Sequence, residues 1–428
     1  MSSKTKTTSR NEEGQPTLVP KLRFPEFRDA KGWDEQTGDS LFDQINDRNP
    51  PPGLPALAIT QEHGAIPRDM INYHVSVTEK SIESYKTVQV GDFIISLRSF
   101  QGGIEYSQYH GICSPAYIIL RRCIEGSDAY FKQYLKTDRF IQILTRNLEG
   151  LRDGKMISYK QFSGLLIPVP SAPEQQKIAE FLHSVDELIA AQAQKVDALK
   201  SHKKGLMQLL FPPESETQPR LRFPEFQDAG EWEASPFEEF VTKTFYGTSS
   251  STSPEGQYPV LRMGNMVDGG LDFTNLVYID LDPKSFESFR LEDGDILLNR
   301  TNSPALVGKI SLFRLKSECI AASYIVTYRL NKQRIDPSFC NFMLNTPLYQ
   351  ARIKKFAKPS ISQANINPTT FRKELNVAVP AILEQQRIAD CLTSLDDLIT
   401  AQNQKLAALK TQKIGLMQQL FPVPETAA

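Results

Sequence analysis

Glu174–Pro212 reads EQQKIAEFLHSVDELIAAQAQKVDALKSHKKGLMQLLFP, and Glu384–Pro422 reads EQQRIADCLTSLDDLITAQNQKLAALKTQKIGLMQQLFP. Aligned without a gap at an offset of 210, the two stretches agree at 25 of 39 positions. Each carries a heptad. In the first, Leu182, Ile189, Val196, Lys203 and Leu210 fall at a, and Ile178, Val185, Gln192, Leu199 and Leu206 at d. In the second, Leu392, Ile399, Leu406, Lys413 and Leu420 fall at a, and Ile388, Leu395, Gln402, Leu409 and Leu416 at d. An apolar seam of this period is the signature of a coiled coil. Each helix would be roughly 55 Å long at ~1.5 Å per residue. A seam cannot bury itself, and the cheapest partner for each copy is the other. The polar residues inside the seam recur in register, as expected of residues that set register or meet a partner subunit.

A second repeat precedes each helix. Leu22–Phe27 (LRFPEF) returns as Leu221–Phe226, and Trp33 and Trp232, the only tryptophans, follow at the same distance. These read equally as a partner contact or as an apolar strap on the chain's own domain. Between strap and helix lies a mixed α/β segment. In the first, Val88–Leu97 (VQVGDFIISL) reads as a Gly-Asp turn and a strand, Ala116–Leu120 as a strand, and Asp128–Leu148 as a helix. A basic loop, Gly150–Ser158, follows. Leu165–Pro170 (LLIPVP) closes the segment, with prolines unable to continue a ladder and Pro173 suited to a first helical turn. The second segment repeats this plan in a different sequence, with Leu291–Asn299, Ala322–Val326, the helix Pro337–Ile353, the loop Lys358–Asn365 and Ala378–Pro380. Two similar sockets carry two different tools.

The 428 residues are 40% hydrophobic and 23% charged, with a net charge of −1. That suits an ordinary globular chain of two or three domains. The start is polar with no apolar core of a secretory signal, and no 18-residue apolar run exists for a membrane span. The five cysteines form no CxxC and read as free thiols in a reducing, cytoplasmic compartment. Enzymatic motifs are missing. Ser303–Ser311 (SPALVGKIS) lacks the first glycine and the hydroxyl residue of a phosphate loop, and Asn49–Pro52 (NPPP) has proline where a methyltransferase stacks an aromatic ring on its base. No histidines stand at metal-ligand spacing, so no metal site is expected.

Charge is uneven. Arg121–Lys160 holds nine Lys/Arg against five Asp/Glu, and Leu298–Lys316 and Gln350–Lys373 hold four and six with no acid. Such patches neutralise phosphates, and Arg, Asn, Gln, Ser and Thr on positioned loops read bases. The candidate DNA contacts are Arg98, Ser99, Gln101, Arg152 and Lys155 in the first segment. In the second they are Arg262, Asn265, Arg300, Thr301, Asn302, Lys309, Lys358, Ser360, Gln363 and Asn365. A scaffold of coiled helices that never touches DNA is the alternative, and a fused methyltransferase a more distant one.

The paired EQQ helices, the paired LRFPEF…W entries and the Gly-Asp strands together resemble the specificity (S) subunit of Type I restriction–modification systems, over about residues 20–422. The resemblance implies an α+β chain of two mixed α/β target-recognition domains in tandem, each followed by a long helix. The two helices would pack as an antiparallel coiled coil with pseudo-twofold symmetry. The polar start reads as a disordered tail (1–17), and the repeats and prolines divide the rest into a first recognition domain (18–172), a first helix (173–212), a linker (213–220), a second recognition domain (221–383) and a second helix with a tail (384–428). Each domain would read one half of a split, asymmetric double-stranded DNA target. The helices would set the spacing and dock two methyltransferase subunits, which motor-nuclease subunits join. The S subunit itself performs no chemistry. S-adenosylmethionine, ATP and Mg would belong to partner subunits, with no cofactor in this chain. Half-sites read from one side of a duplex sit roughly one helical turn, ~34 Å, apart, a span such a rod can serve.

Overall fold

The computed structural model describes residues 8–10, 16–71, 84–146, 157–214, 216–315, 318–359 and 363–422. It divides into two compact units, Met1–Gln192 with Lys405–Ala428, and Ala193–Gln404. The division departs from linear order, because each unit takes one α/β domain and part of each long helix. Within the stretch expected to be a disordered tail, Thr8–Arg10 pairs antiparallel with Pro16–Leu18.

The first domain is built on an antiparallel sheet in the order Phe42–Ile45, Ile118–Arg122, Phe93–Ile95, Glu105–Tyr106. Phe93, Ile94 and Ile95 are all fully buried, because the strand has a core on both faces. Phe93 and Ile95 join the cluster around Trp33, Phe42 and Phe131, and Ile94 joins a smaller one with Leu57 and Val88. The turn before this strand needs Gly91, whose φ is +99°. The next residue, Asp92, is buried, accepts the Gln89 N–H at 2.7 Å, and is held by Arg121 at 2.7 and 2.9 Å.

The second domain repeats this core in the order Val241–Tyr246, Ile325–Leu330, Ile296–Asn299, Ile310–Leu312. Gly294 has φ +94°, and buried Asp295 accepts the Glu292 N–H and two donors of Arg329. The Gly-Asp pair therefore clips a turn to the arginine of the neighbouring central strand in both domains.

Three expectations change. The helix expected over Asp128–Leu148 is two, Asp128–Tyr134 and Asp138–Arg146. The Thr137 hydroxyl accepts the Phe140 N–H and starts the second. The helix expected over Pro337–Ile353 likewise splits into Pro337–Leu344 and Pro347–Lys355, where Thr346 caps the Tyr349 N–H and Pro347 has no N–H to continue the ladder. Pro168 does lie in a strand, Leu166–Val169, opposite Glu35. That ladder has only two strands, so the proline sits on an edge. On this strand Leu166 faces outward at 50% exposure, while Ile167 is buried.

The strap reading of LRFPEF is the one the structure supports. Arg23 is buried and forks onto both carboxylate oxygens of buried Glu174 at 2.8 and 2.7 Å, while also donating to the Ala30 and Lys31 carbonyls. Arg222 does the same to Glu384, Ala229 and Gly230. Trp33 and Trp232 are 1% and 2% exposed, in the cores of their own domains. The next residue of each EQQ completes the joint. Gln175 accepts the Ser127 N–H and donates to the Pro170 carbonyl, and Gln385 accepts the Asp336 N–H and donates to the Pro380 carbonyl. The repeated EQQ thus fastens strap, domain and helix together.

The long helices run Ala172–Leu210 and Ile382–Leu420. None of the heptad a and d residues is exposed, and the ends are the most buried. Ile178 and Leu182 share the first domain's core with Leu420 and Phe421, while Ile388 and Leu392 share the second's with Leu210 and Phe211. Val196 and Ile399 are also buried. Val185, Ile189, Leu199, Leu206, Leu395, Leu406, Leu409 and Leu416 are half-buried. In the first unit Lys413 meets Asp186 at 2.6 Å, and in the second Lys203 meets Asp396 at 2.6 Å. Each seam lysine therefore has an aspartate on the facing helix segment, which suits a register role.

Both aspartates are about 40% exposed, so the pairs should add little stability. Changing Lys203 and Lys413 together to Met is expected to shift stability by less than ~1 kcal/mol. Thermal melts in low and high salt check this. The variant should also lose part of the salt dependence of the wild type.

Candidate nucleic-acid interface

In the first domain the strand Phe93–Ile95 leads into a single turn of helix, Ser99–Gly102. Arg98 and Gln101 are exposed on it. Ser99 is not a contact residue, because it is buried and its hydroxyl accepts the Ser96 N–H at 2.9 Å. It closes the turn that presents Arg98. Arg152 and Lys155 lie outside the described residues.

The second domain is more informative. The strand Ile296–Asn299 continues into Thr301–Asn302, which joins Ala364–Ile366 and Ala357–Pro359 in a three-stranded antiparallel sheet. Directly opposite residues share a face. Thr301, Asn365 and Lys358 are such partners, so they form one row. The Thr301 hydroxyl donates to Asn365 Oδ1 at 2.6 Å, and Lys358 is exposed at the end of the row. Gln363, just before the central strand, is exposed as well. Residues from two separate sequence patches thus meet on one small sheet.

Other candidates are not brought to this row. Asn302 is opposite Ala364, which is buried in the core, and its side-chain oxygen accepts the Ser303 N–H. It faces the core side and holds a turn. Alternation sends Arg300 to that side too. Its guanidinium lies 5.4 Å from the Tyr246 ring centroid, and its backbone is fixed by Tyr324 and Ile366. Half-buried Lys309 donates to the Met266 carbonyl at 3.3 Å. Asn265 is buried and fully used, accepting the Arg262 N–H and donating to the Asp272 and Thr274 carbonyls. It organises a loop and does not reach outward. Arg262 is exposed, with one donor on the Asn275 carbonyl. Ser360 lies outside the described residues.

Space also alters the reading of charge. The segment Gln350–Lys373 has no acid of its own, yet Arg372 lies 3.7 Å from Glu238 and donates to the Thr244 hydroxyl. Lys354, Lys355 and Lys358 remain exposed. Tyr246 escaped the sequence reading because its partner Arg300 is 54 positions away and no periodicity links them.

Among the described residues no cluster of three or more His, Cys, Asp or Glu could hold a metal. All five cysteines are free, and burial pushes the Cys113 and Cys319 thiols up to about 12, away from nucleophilic use. No helix among the described residues is long and apolar enough to cross a membrane.

Residues 43–201 and 230–411 each match the Type I restriction modification DNA specificity domain. The chain belongs to that family. The two matched stretches take in both α/β domains with most of their helices. A putative type I restriction enzyme MjaX specificity subunit of Methanocaldococcus jannaschii is 29% identical over 194 residues, 45% of each chain. The MjaVIII specificity subunit of the same organism is 24% identical over 62% of this chain and 63% of its own. The EcoKI specificity subunit of Escherichia coli is 21% identical over 61% and 58%. The chain therefore matches about half to just under two thirds of these relatives' lengths. The fold of the family extends to solved structures. One from a study of complex assembly and conformational transition of the type I R-M system has a TM-score of 0.59 at 16% identity, covering 91% of this chain and 98% of that one. The S subunit from M. genitalium has a TM-score of 0.52 at 16% identity, covering 95% and 100%.

Proposed function

We propose that the chain is the DNA-specificity subunit of a Type I restriction–modification complex. The observation that carries this is a pair of specificity-family domains with the same core, the same Arg–Glu strap joint and different polar loops. Matched sockets with unlike loops suit a reader of two unlike half-sites. Each domain contacts one half of a split double-stranded target. The long helices pair as an antiparallel coiled coil related by a pseudo-twofold axis, set the gap between half-sites, and dock two methyltransferase subunits, which motor-nuclease subunits join in the cytoplasm. Chemistry, with S-adenosylmethionine, ATP and Mg, resides in those partners, and this chain is a non-catalytic adaptor. The net charge of −1 suits a subunit whose partners share the grip on phosphates.

Methylome sequencing of cells that express the chain with its methyltransferase should return one bipartite motif with a fixed gap. Gel shifts of the same complex on random duplex pools should enrich that motif. A complex that enriches no split sequence would leave the helices as a scaffold and sink this reading.

A further inference from the structure

Resting on the DNA reading proposed above, we infer that Asn365 reads an adenine in the half-site bound by the second domain, and that Thr301 is the residue that positions it. A carboxamide has two donors on nitrogen and two lone pairs on oxygen. The Thr301 hydroxyl occupies one lone pair of Asn365 Oδ1, at 2.6 Å, which sets which way the amide faces. Among the described residues the other lone pair has no donor. Among the described residues Nδ2 has no hydrogen-bond partner, so one acceptor and one donor remain side by side. In the major groove adenine presents the complement, an N7 acceptor beside an N6 donor. Guanine presents two acceptors there and would set O6 against the Asn365 oxygen.

The surroundings fit a groove reader. The row Thr301–Asn365–Lys358 lies on strands of two or three residues, and short antiparallel strands are among the elements that enter the major groove. Lys358, opposite Asn365, is exposed and suited to a nearby phosphate. Of the other asparagines nearby, Asn265 is spent on its own loop, Asn302 turns to the core side with its oxygen on the Ser303 N–H, and Asn299 is wholly buried where no base could reach it. Asn365 combines partial exposure with a held orientation.

The test is methylome sequencing of cells carrying the full chain with its methyltransferase, in four versions: wild type, Asn365→Ala, Thr301→Val and Thr301→Ser. Asn365→Ala is expected to relax one A·T position in one half-site, by roughly 5- to 150-fold in discrimination, leaving the other half-site unchanged. Thr301→Val should relax the same position to a smaller degree, and Thr301→Ser, which keeps the hydroxyl, should restore it. An unchanged motif, relaxation at a G·C pair, or a uniform loss across the half-site in Asn365→Ala would overturn the inference. If Asn365→Ala fails to accumulate, the two Thr301 variants decide. Relaxation by Val that Ser does not rescue, or none at all, overturns it. A wild type without any split motif would refute the DNA reading itself, a result distinct from these.

Discussion

Replacing Arg23 with alanine should lower the stability of the first unit by about 3–5 kcal/mol, because it strands a buried carboxylate. The Arg23 and Glu174 side chains are 6% and 2% exposed. Two charge-assisted hydrogen bonds join them, and Arg23 also ties down the Ala30 and Lys31 carbonyls. Without the guanidinium, Glu174 would have no counter-charge in a site that water barely reaches. The protein supplies its own local reporters. Trp33, 6.1 Å from Tyr130, senses the first unit, and Trp232, 5.6 Å from Phe339, senses the second. In a Trp232→Phe background, urea unfolding followed by Trp33 fluorescence should shift to lower urea in Arg23→Ala. Arg222→Ala should shift the Trp232 transition instead, in a Trp33→Phe background. A Trp33 transition unmoved by Arg23→Ala would show that the strap is decoration. The double change Arg23→Met with Glu174→Leu should be milder than Arg23→Ala, since replacing both partners leaves no lone buried charge.

The second large effect concerns the helices. Leu392→Asp is expected to destabilise the second unit by about 5 kcal/mol or more. Removing a fully buried leucine costs about 3–5 kcal/mol, and burying a carboxylate adds to it. Leu392 is 0% exposed and sits in one cluster with Trp232, Phe339 and Leu210. Leu182→Asp should act alike in the first unit, where Leu182 joins Trp33 and Tyr130. Leu199→Asp and Leu409→Asp should be distinctly milder, because both positions are half-buried and a charge there can turn toward water. Circular dichroism melts of the four variants check the order. Equal losses would mean that the helix seam dominates, and not the sharing of helix ends with domain cores.

The heptads, the duplicated straps, the tandem plan and the family resemblance were all written in local pattern. Identity at a fixed offset and a 3.5-residue period survive without knowing any contact. So did the Gly-Asp turns, since a left-handed backbone position selects glycine. Helix continuity was less legible. The breaks at Thr137 and Thr346 depend on a hydroxyl capping a backbone N–H, which competes with an apolar pattern that runs straight through them.

The interface was the least legible part. Thr301 and Asn365 are 64 positions apart, and strand register alone put them in one row with Lys358. The same register turned Asn302 toward the core, and burial consumed Ser99 and Asn265 as turn clips. A polar residue on a loop has the same appearance in sequence whether its hydrogen bonds go to backbone or to a ligand. The amino-acid sequence by itself therefore determined what is repeated, and with it the architecture and the family. Only the tertiary structure decided which polar atoms remain unspent, because that depends on partners distant along the chain.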